Sequence, residues 1–219
     1  MEASKEWLYQ KIAEAVQSLP RPTIIGINGA ITSGKTTLAR RLAEYLQKQN
    51  IPVTVVHIDD FHQPRSLRQK EVSPAYYLAH ALDLPRITDL VQKIKAGGFE
   101  ETWQVLDMGT DEYSKSVEFA ITPDSIVIVE GVLLYQKGLV DLFDYKVYLD
   151  IFPKEILERG KLRDVPLYGA GILEQYRQLF IPVQQLYEEM AQPKTSSDLV
   201  VDVTNFERMI VKDEKSCPR

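Results

Sequence analysis

The sequence predicts an α/β fold in which a parallel sheet lies between helices on both faces, giving three layers, α/β/α. Short runs rich in Val and Ile recur along the chain and are nearly continuous in apolar residues, which is typical of strands buried on both faces. The segments between these runs are long enough for helical crossovers, and 219 residues are enough for a single domain, residues 1–219. The predicted strands are residues 23–28, 53–58, 125–130, 145–151 and 198–203.

Helical spacing of apolar residues fills the segments between these strands. The predicted helices are residues 1–20, 35–49, 84–96, 153–163 and 170–191. Pro182 is expected to kink the last of them. Two extended stretches within residues 100–121 predict a hairpin insertion, and the polar residues 207–219 predict a tail that frays.

Composition and charge exclude several classes of protein. Apolar residues make up 44% of the chain and charged residues 26%, the balance of an ordinary globular domain. The net charge of −5 argues against a broad grip on nucleic acid or on an anionic membrane. No stretch approaches the roughly 18 apolar residues of a membrane span. Cys217 is the single cysteine, so no disulfide is expected within the chain, and a cytoplasmic protein is expected. The three histidines show no zinc-ligand spacing.

One glycine-rich segment has the spacing of a phosphate-binding loop. In GINGAITSGKTTLA, Gly29 and Gly34 fit the pattern G-x-x-x-x-G-K-[S/T], between a predicted strand and a predicted helix. Glycines let successive backbone amides turn inward, and the following helix adds its positive N-terminal end, so this P-loop is expected to wrap the phosphates of ATP. Lys35 would reach the β- and γ-phosphates, and Thr36 would bind Mg²⁺. The predicted nucleotide-binding residues are Gly29, Ala30, Ile31, Thr32, Ser33, Gly34, Lys35, Thr36 and Thr37.

Two carboxylates follow predicted strands and are expected at the carboxyl edge of the sheet, beside the P-loop. Asp59 follows the second strand in HIDDFH, where it could deprotonate an acceptor hydroxyl or help to hold Mg²⁺. Glu130 ends the strand in SIVIVEG, where it would contact Mg²⁺ directly or through water. The neighbouring Asp60 is interpreted as a turn or helix-capping residue.

Several segments together resemble the uridine kinase family, which is related to phosphoribulokinase and to bacterial pantothenate kinase. These segments are GINGAITSGKTTLA, HIDDFH, IVIVEGVLL, ERGKLRD and QYRQLFIPVQQLY, and the resemblance runs over residues 23–205. It implies a kinase that uses ATP and Mg²⁺ to phosphorylate a hydroxyl group of a small molecule. In such a kinase Lys35 and Asp59 would be catalytic, with Asp59 as the base, and Glu130 would assist the metal.

The resemblance also implies a short lid over residues 155–171 and further residues around the acceptor. Arg163 is similar to a lid arginine that closes over the phosphates, although it could instead be solvated. Asp83 is similar to an aspartate that binds ribose hydroxyls, and it could equally cap the following helix. Gln175 matches a glutamine near the acceptor, and His62 lies where the family often carries an aromatic residue beside the acceptor. Both could be ordinary surface or core residues.

This chain departs from the family pattern in two places. Uridine kinases carry two further arginines after the Arg–Asp pair of the lid, whereas this chain continues with VPLYGAG, so its lid is shorter and less basic. The family positions that contact the pyrimidine align poorly with VLDMGTDEY, where Leu106 and Asp111 stand. The sequence therefore favours kinase chemistry on a changed acceptor. A nucleoside, pantothenate and a sugar phosphate all stay open, as does a homo-oligomeric state.

Two other classes of P-loop protein fit the sequence less well. A GTPase-like switch would carry an N-K-x-D element that reads guanine and a D-x-x-G element after the second strand, and neither pattern occurs. The altered lid and the altered positions that contact the pyrimidine in the family favour a non-catalytic or regulatory ATP-binding protein. The intact Asp59 and Glu130 argue against it.

Overall fold

Seven strands form the central sheet in the computed structural model, which describes residues 2–205 and 207–215. In chain order, the strands are β1 (Glu2–Ala3), β2 (Thr23–Gly29), β3 (Val53–His57), β4 (Phe99–Asp107), β5 (Glu112–Ile121), β6 (Ile126–Gly131), β7 (Tyr145–Asp150), β8 (Leu199–Asp202) and β9 (Met209–Glu214). The sheet order is β1-β9-β8-β7-β2-β6-β3, and the strands from β8 to β3 are parallel, while β4 and β5 form a separate hairpin. The predicted parallel α/β sheet is confirmed.

Helices cover both faces of this sheet. In chain order they are α1 (Lys5–Gln17), α2 (Lys35–Gln47), α3 (Arg65–Arg68), α4 (Pro74–His80), α5 (Leu84–Lys95), α6 (Pro153–Tyr168), α7 (Ile172–Gln175), α8 (Ile181–Ala191) and α9 (Pro193–Ser196). One apolar core lies between the sheet and α4, α5 and α8, and a second core lies between the sheet and α1, α2 and α6. Every residue of β2 and β6 is buried, because helices pack on both sides of these strands. The fold therefore has the three predicted layers.

The strand order brings three chain segments together at the carboxyl edge of the sheet. β2 lies beside β6, and β6 lies beside β3, so the residues that follow these strands are neighbours. The register pairs Asn28 with Gly131 and His57 with Glu130. The P-loop follows β2, and a 3-10 turn over Ile58–Phe61 follows β3. Ligand sites of open parallel sheets form at this edge.

The hairpin of β4 and β5 is attached to the turn that follows β3. Lys115 on β5 donates to the carboxylate of Asp60 at 2.6 Å. At the hairpin tip, Asp111 accepts a hydrogen bond of 3.0 Å from Arg68, a buried arginine that is 3% exposed. These contacts hold the hairpin over the carboxyl edge of the sheet.

The segment predicted as one helix over residues 170–191 is instead interrupted. α7 ends at Gln175, a π-helical turn covers Tyr176–Phe180, and α8 begins at Ile181. Pro182 lies in the first turn of α8, where a missing amide hydrogen is tolerated, so the regular helix starts again at this proline. α6, in contrast, continues past its predicted end to Tyr168.

The prediction of a frayed tail is wrong for residues 209–214, which form β9. This strand pairs antiparallel with β8 and with β1. Met209 is 4% exposed and packs in the second core, and this burial stabilises the strand. Lys212 makes the segment look polar, but it pairs with Asp150 and Asp202 at 2.8 and 2.9 Å. Cys217 lies outside the described residues.

α1 packs on the domain through one face. The side chain of Ser4 caps its N-terminus by accepting a hydrogen bond from the amide of Trp7, and Leu8, Ile12 and Val16 are buried in the second core. Over the ranges that the structure describes, no helix combines the length and the apolar character needed to cross a membrane.

Candidate active site

The P-loop connects β2 to α2 and has a backbone geometry that depends on its glycines. Gly34 precedes α2 with a φ of 94°, in the left-handed region that favours glycine. A Cβ atom at Gly29 would lie 2.6 Å from the carbonyl oxygen of Leu149, so a larger residue would not fit. Asn28 fixes the start of the loop, since its Oδ1 accepts a hydrogen bond of 2.8 Å from the amide of Gly29. The first turn of α2 leaves backbone N–H groups without helical partners beside this loop.

Lys35 and Ser33 are polar side chains buried within the P-loop. Lys35 Nζ donates to the carbonyl oxygen of Ala30 at 2.8 Å, and the residue is 8% exposed. Burial lowers the pKa of Lys35, while the carboxylates of Glu130 and Asp59 act in the opposite direction. Ser33 Oγ has no hydrogen-bond partner in the described part of the chain. A buried ammonium group beside an unpaired hydroxyl fits an anionic ligand such as phosphate.

Glu130 is the centre of a hydrogen-bonded cluster at the end of β6. Its Oε1 accepts a hydrogen bond of 2.9 Å from Thr36 Oγ1 and lies 2.7 Å from His57 Nδ1. This hydrogen bond to Glu130 raises the pKa of His57 above its ordinary value. A hydroxyl and a carboxylate are hard oxygen donors, and Mg²⁺ commonly takes one or two carboxylates beside the phosphate oxygens of a substrate. Thr36 and Glu130 therefore fit Mg²⁺ that is held together with a nucleotide.

One cavity of about 200 Å³, here called the Asp59 cavity, brings the predicted catalytic and metal-binding residues together. Lys35, Thr36, Asp59, Glu130 and Arg163 all line it. Asp59 lies on the turn after β3, and its side chain is 69% exposed, so its carboxylate is open to a ligand. The remaining lining residues are Ile31, Thr32, His62, Tyr77, Met108, Val132, Leu133, Phe180, Val183 and Gln184.

His62, Tyr77 and Gln184 are among the uncharged polar side chains that line the Asp59 cavity. His62 is buried, and its Nδ1 lies 3.2 Å from the carbonyl oxygen of Asp59, which can only accept, so Nδ1 carries the proton. Burial lowers the pKa of His62, which keeps the ring neutral and leaves Nε2 as an acceptor. The Tyr77 hydroxyl and the Gln184 amide oxygen have no hydrogen-bond partner among the residues that the structure describes. The Asp59 cavity therefore offers hydrogen-bonding groups that a ligand could use.

A second cavity of about 620 Å³, here called the P-loop cavity, lies between the P-loop and α6. Gly34 and Thr37 line it from the P-loop, and Arg159 and Arg163 line it from α6. The guanidinium of Arg163 makes hydrogen bonds of 2.6 and 2.9 Å to the carboxylate of Asp164. Arg163 lines both cavities, and its bonds to Asp164 fix the position of the guanidinium where the two cavities meet.

Two residues that the resemblance associated with the acceptor do not line the Asp59 cavity. Asp83 caps α5 and accepts a hydrogen bond of 3.3 Å from the amide of Arg86. Gln175 is exposed at the end of α7, whereas Gln184 on α8 lines the cavity. Gln184 lies four residues after Phe180, so helical spacing places it beside the apolar face of this segment. A polar residue beside the buried Val183 was the available signal.

Comparison with known proteins supplies the family. A sequence model described as "Phosphoribulokinase / Uridine kinase family" matches residues 24–209, which is most of the chain. The chain belongs to this family. The match includes the P-loop, Asp59, Glu130 and Arg163, so the resemblance predicted from these segments is confirmed.

Members of the phosphoribulokinase/uridine kinase family and related solved structures are similar to this chain over most of its length. Uridine-cytidine kinase 2-B from Danio rerio is 27% identical over 201 residues, covering 86% of this chain and 76% of the relative. A possible uridine kinase from Bacillus stearothermophilus has a TM-score of 0.70 at 24% identity, covering 88% of this chain and 96% of that chain. D-glycerate 3-kinase from Cryptococcus neoformans has a TM-score of 0.65 at 17% identity, covering 95% and 99%. The two structures are named for different acceptors, so the shared fold leaves the acceptor open.

Two hairpin positions at which this chain departs from the uridine kinase pattern have structural roles. Leu106 is buried, at 1% exposure. Asp111 accepts a hydrogen bond of 2.9 Å from the amide of Arg65, in addition to the bond from Arg68, and so anchors the hairpin tip. Met108 lies between these positions and lines the Asp59 cavity, which the sequence pattern did not predict.

Proposed function

We propose that this chain transfers the γ-phosphoryl group of ATP to a hydroxyl group of an uncharged small molecule, with nucleosides as the first candidates. The observation that carries the proposal is the Asp59 cavity, in which an open carboxylate shares one space with Lys35, Thr36 and Glu130. Family membership supports phosphoryl transfer, and a relative named uridine-cytidine kinase supports nucleosides as acceptors.

Asp59 is the proposed general base. Its carboxylate would orient the acceptor hydroxyl and take its proton as the oxygen attacks the γ-phosphorus. The adjacent Asp60 is already bonded to Lys115 and does not line the Asp59 cavity. The two neighbouring carboxylates therefore have separate tasks.

Lys35 and the P-loop would hold the phosphates. The ammonium group of Lys35 would exchange its bond to the Ala30 carbonyl for bonds to phosphate oxygens, and Ser33 and the backbone amides would add donors. Thr36 and Glu130 would hold Mg²⁺, which supplies neutralisation of charge on the phosphate oxygens. Arg163 would add positive charge from the side of α6.

The charges around the Asp59 cavity favour an uncharged acceptor. Its cationic lining residues are Lys35 and Arg163, and both also line the P-loop cavity. The other polar side chains that line it include His62, Tyr77 and Gln184, which are uncharged; the neutral His62 ring has Nε2 as a hydrogen-bond acceptor, and the Tyr77 hydroxyl can donate or accept. Hydroxyl or amide groups of a nucleoside would form hydrogen bonds with them. A carboxylate or phosphate on the acceptor would instead be repelled by the lone pairs of the hydrogen-bond acceptors and by the charge of Asp59.

The proposal is tested by measuring ADP production with Mg²⁺ and ATP against two groups of acceptors. The first group contains uridine, cytidine and other nucleosides, and the second contains pantothenate, glycerate and sugar phosphates. We expect a member of the first group to stimulate turnover. Stimulation by an anionic acceptor alone would contradict the argument from charge, and ATP binding without stimulation by any acceptor would favour a regulatory protein.

A further inference from the structure

Gln184 on α8 is a polar residue that is 6% exposed and lines the Asp59 cavity. Its amide nitrogen already has two partners. Nε2 donates to the hydroxyl oxygen of Tyr148 and to Oε1 of Glu188, each at 2.9 Å, and neither partner lines the cavity. The amide oxygen is therefore the polar atom that Gln184 can offer to a ligand.

The surroundings of Gln184 select one of the two orientations of its amide. A carboxylate accepts hydrogen bonds and donates none, so Glu188 requires an N–H group from Gln184. The Tyr148 hydroxyl donates its own proton to Glu188 Oε1 at 2.9 Å, which leaves its oxygen to accept from Gln184. Burial raises the pKa of Tyr148, so the hydroxyl keeps this proton. A flipped amide would place its oxygen against the carboxylate of Glu188.

Ion pairs hold Glu188 in the position that orients Gln184. Lys194 Nζ on α9 lies 3.0 Å from Glu188 Oε2 and 2.9 Å from Oδ1 of Asp150, the last residue of β7. Asp150 also pairs with Lys212 on β9 at 2.8 Å. The amide of Gln184 is thus fixed before a ligand binds, which lowers the entropic cost of using it for recognition.

The amide oxygen of Gln184 is open to a ligand. It has no hydrogen-bond partner among the residues that the structure describes. Within those residues, Ser33 Oγ is the single side-chain polar atom that is both unpartnered and fully enclosed, so the oxygen of Gln184 faces open space. His62 adds Nε2 as a second acceptor in the same cavity. Acceptors in a cavity that closes over a ligand lose free energy when the ligand brings no donor, so they select for donors.

We propose that Gln184 is a specificity-determining residue, whose amide oxygen accepts a hydrogen bond from a second N–H or O–H group of the phosphate acceptor, besides the hydroxyl that is phosphorylated. This inference rests on the proposed function, since it takes the acceptor to occupy the Asp59 cavity. It narrows the acceptor to a neutral molecule with at least two donor groups, such as a nucleoside with a ribose hydroxyl or an exocyclic amino group. Tyr148 and Glu188 are the positioning residues of Gln184.

Acceptors that differ in one donor group test this role. The nucleoside that is turned over fastest is compared with analogues that each lack one ribose hydroxyl or the exocyclic amino group. In the unaltered chain, we expect the loss of one such group to lower kcat/KM about tenfold or more, and we expect Gln184→Met to reduce this difference to within about twofold.

Gln185→Met is the matched control for the comparison of acceptors. Gln185 is the exposed neighbour of Gln184 and does not line the Asp59 cavity, so this variant should keep the difference between the nucleoside and its analogue. An equal difference in Gln184→Met and Gln185→Met would overturn the inference. So would an unaltered chain that turns over every analogue as fast as the nucleoside.

Tyr148→Phe tests how Gln184 is positioned. Phenylalanine keeps the buried ring but removes one of the two partners of the amide nitrogen. We expect this variant to reduce the difference between the nucleoside and its analogue about threefold, and to raise the KM for the nucleoside more than it lowers kcat. A purely structural role of Tyr148 would lower kcat/KM for both molecules by the same factor, and that result would remove Tyr148 from the recognition of the acceptor.

NMR of the unaltered chain gives a readout that needs neither a variant nor turnover. The side-chain carbonyl carbon of Gln184 is assigned in an isotope-labelled sample and followed during titrations with uridine, cytidine and their deoxyribose analogues. A hydrogen bond to the amide oxygen changes the chemical shift of this carbon. We expect a shift with one nucleoside and a much smaller shift with an analogue that lacks one donor. Equal shifts, or no shift with any nucleoside, would contradict the assignment.

These readouts separate two failures. If a nucleoside shifts the Gln184 carbonyl and its analogue does not, but no acceptor is phosphorylated, the proposed function fails and the role of Gln184 in binding stands. If acceptors are phosphorylated while Gln184→Met discriminates among them as Gln185→Met does, the proposed function stands and the role of Gln184 is rejected. Melting temperatures show whether each variant is folded, and the NMR titration of the unaltered chain decides if Gln184→Met is not.

Discussion

Asp59 and Asp60 are adjacent in sequence but have different surroundings. The Asp59 side chain is 69% exposed and lines the cavity, whereas the Asp60 side chain is 14% exposed and bonded to Lys115. We expect Asp59→Asn to lower kcat about 10²–10⁴-fold because the base is lost, with little change in ATP affinity. The kcat of Asp60→Asn should stay within about threefold of that of the unaltered chain. Turnover at saturating acceptor and ATP titrations check both, and equal losses in the two variants would remove Asp59 from the mechanism.

His57 and His62 are expected to change stability with pH in opposite directions. The folded pKa of His62 is lowered by burial, so its contribution is present above the unfolded value of about 6.5 and is lost as pH falls through the folded pKa. The folded pKa of His57 is raised, chiefly by the hydrogen bond to Glu130, so its contribution is present below about 6.5 and is lost as pH rises through the folded pKa.

Urea unfolding across pH, without Mg²⁺ or nucleotide, checks these signs. Relative to the unaltered chain, His62→Asn should reduce the loss of stability on the acid side, and His57→Asn should reduce the loss on the alkaline side. The effect at His57 should be small, since its side chain is 43% exposed. If the free energy of unfolding depended on pH in the same way in both variants, the assigned protonation states would be contradicted.

At the residue scale, the sequence predicts the residues whose role depends on position after a strand. Lys35, Asp59 and Glu130 follow from the P-loop pattern and from the ends of two apolar strands, and the structure brings them into one cavity. Tyr77 and Gln184 could not be predicted in the same way, because they enter that cavity through the packing of α4 and α8 on the sheet.

At the scale of elements, the contact between α6 and the π-helical turn holds the guanidinium of Arg163. A Cβ atom at Gly160 would lie 2.5 Å from Cζ of Tyr176, whose hydroxyl donates to the carboxylate of Asp164. We expect Gly160→Ala to lower the free energy of unfolding by about 1–3 kcal/mol, because the ring has to move. It should also raise the KM for ATP, because movement of the Tyr176 ring would shift Asp164 and the Arg163 guanidinium that is bonded to it.

Gly171→Ala is the matched control for this prediction. Gly171 has a φ of −60° and no atom within 4 Å of an added Cβ, so its replacement should leave stability equal or up to about 1 kcal/mol higher. Chemical unfolding of both variants checks the pair. Equal stability of Gly160→Ala and Gly171→Ala would show that the two elements are not packed as described.

The existence of most elements was predictable, while their interruptions were not. Nearly continuous apolar runs predicted the parallel strands, and the two extended stretches within residues 100–121 predicted the hairpin that β4 and β5 form. The π-helical turn over Tyr176–Phe180 has the same apolar spacing as an ordinary helix, so the pattern could not reveal it. It depends on tertiary packing, in which Tyr176 is fully buried against α6.

At the scale of the whole molecule, β9 joins the end of the described chain to its beginning. Met209 and Ile210 are neighbours on this strand, with Met209 4% exposed and Ile210 48% exposed. We expect Met209→Ala to lower the free energy of unfolding by about 2–3 kcal/mol, and Ile210→Ala to lower it by less than about 1 kcal/mol. Unfolding of the ligand-free variants checks this, and equal small effects would mean that the segment does not pack as a strand.

The layer architecture follows from the sequence, but the sheet order does not. Buried strands separated by helical crossovers require helices on both faces, and this much was predicted. The antiparallel addition of β9 and β1 depends on the ion pairs of Lys212 and on the burial of Met209, which are contacts between distant parts of the chain. Composition alone made the same residues look like a tail.

The central claim is that the γ-phosphoryl group of ATP passes to a hydroxyl group of an uncharged acceptor in the Asp59 cavity. Phosphorus NMR of a reaction with Mg²⁺, ATP and a pool of nucleosides tests it most directly. The account predicts the resonance of a phosphate monoester of one nucleoside, retained with Asp60→Asn and strongly reduced with Asp59→Asn. Formation of inorganic phosphate without an ester, or an ester that forms equally fast with Asp59→Asn, would contradict it.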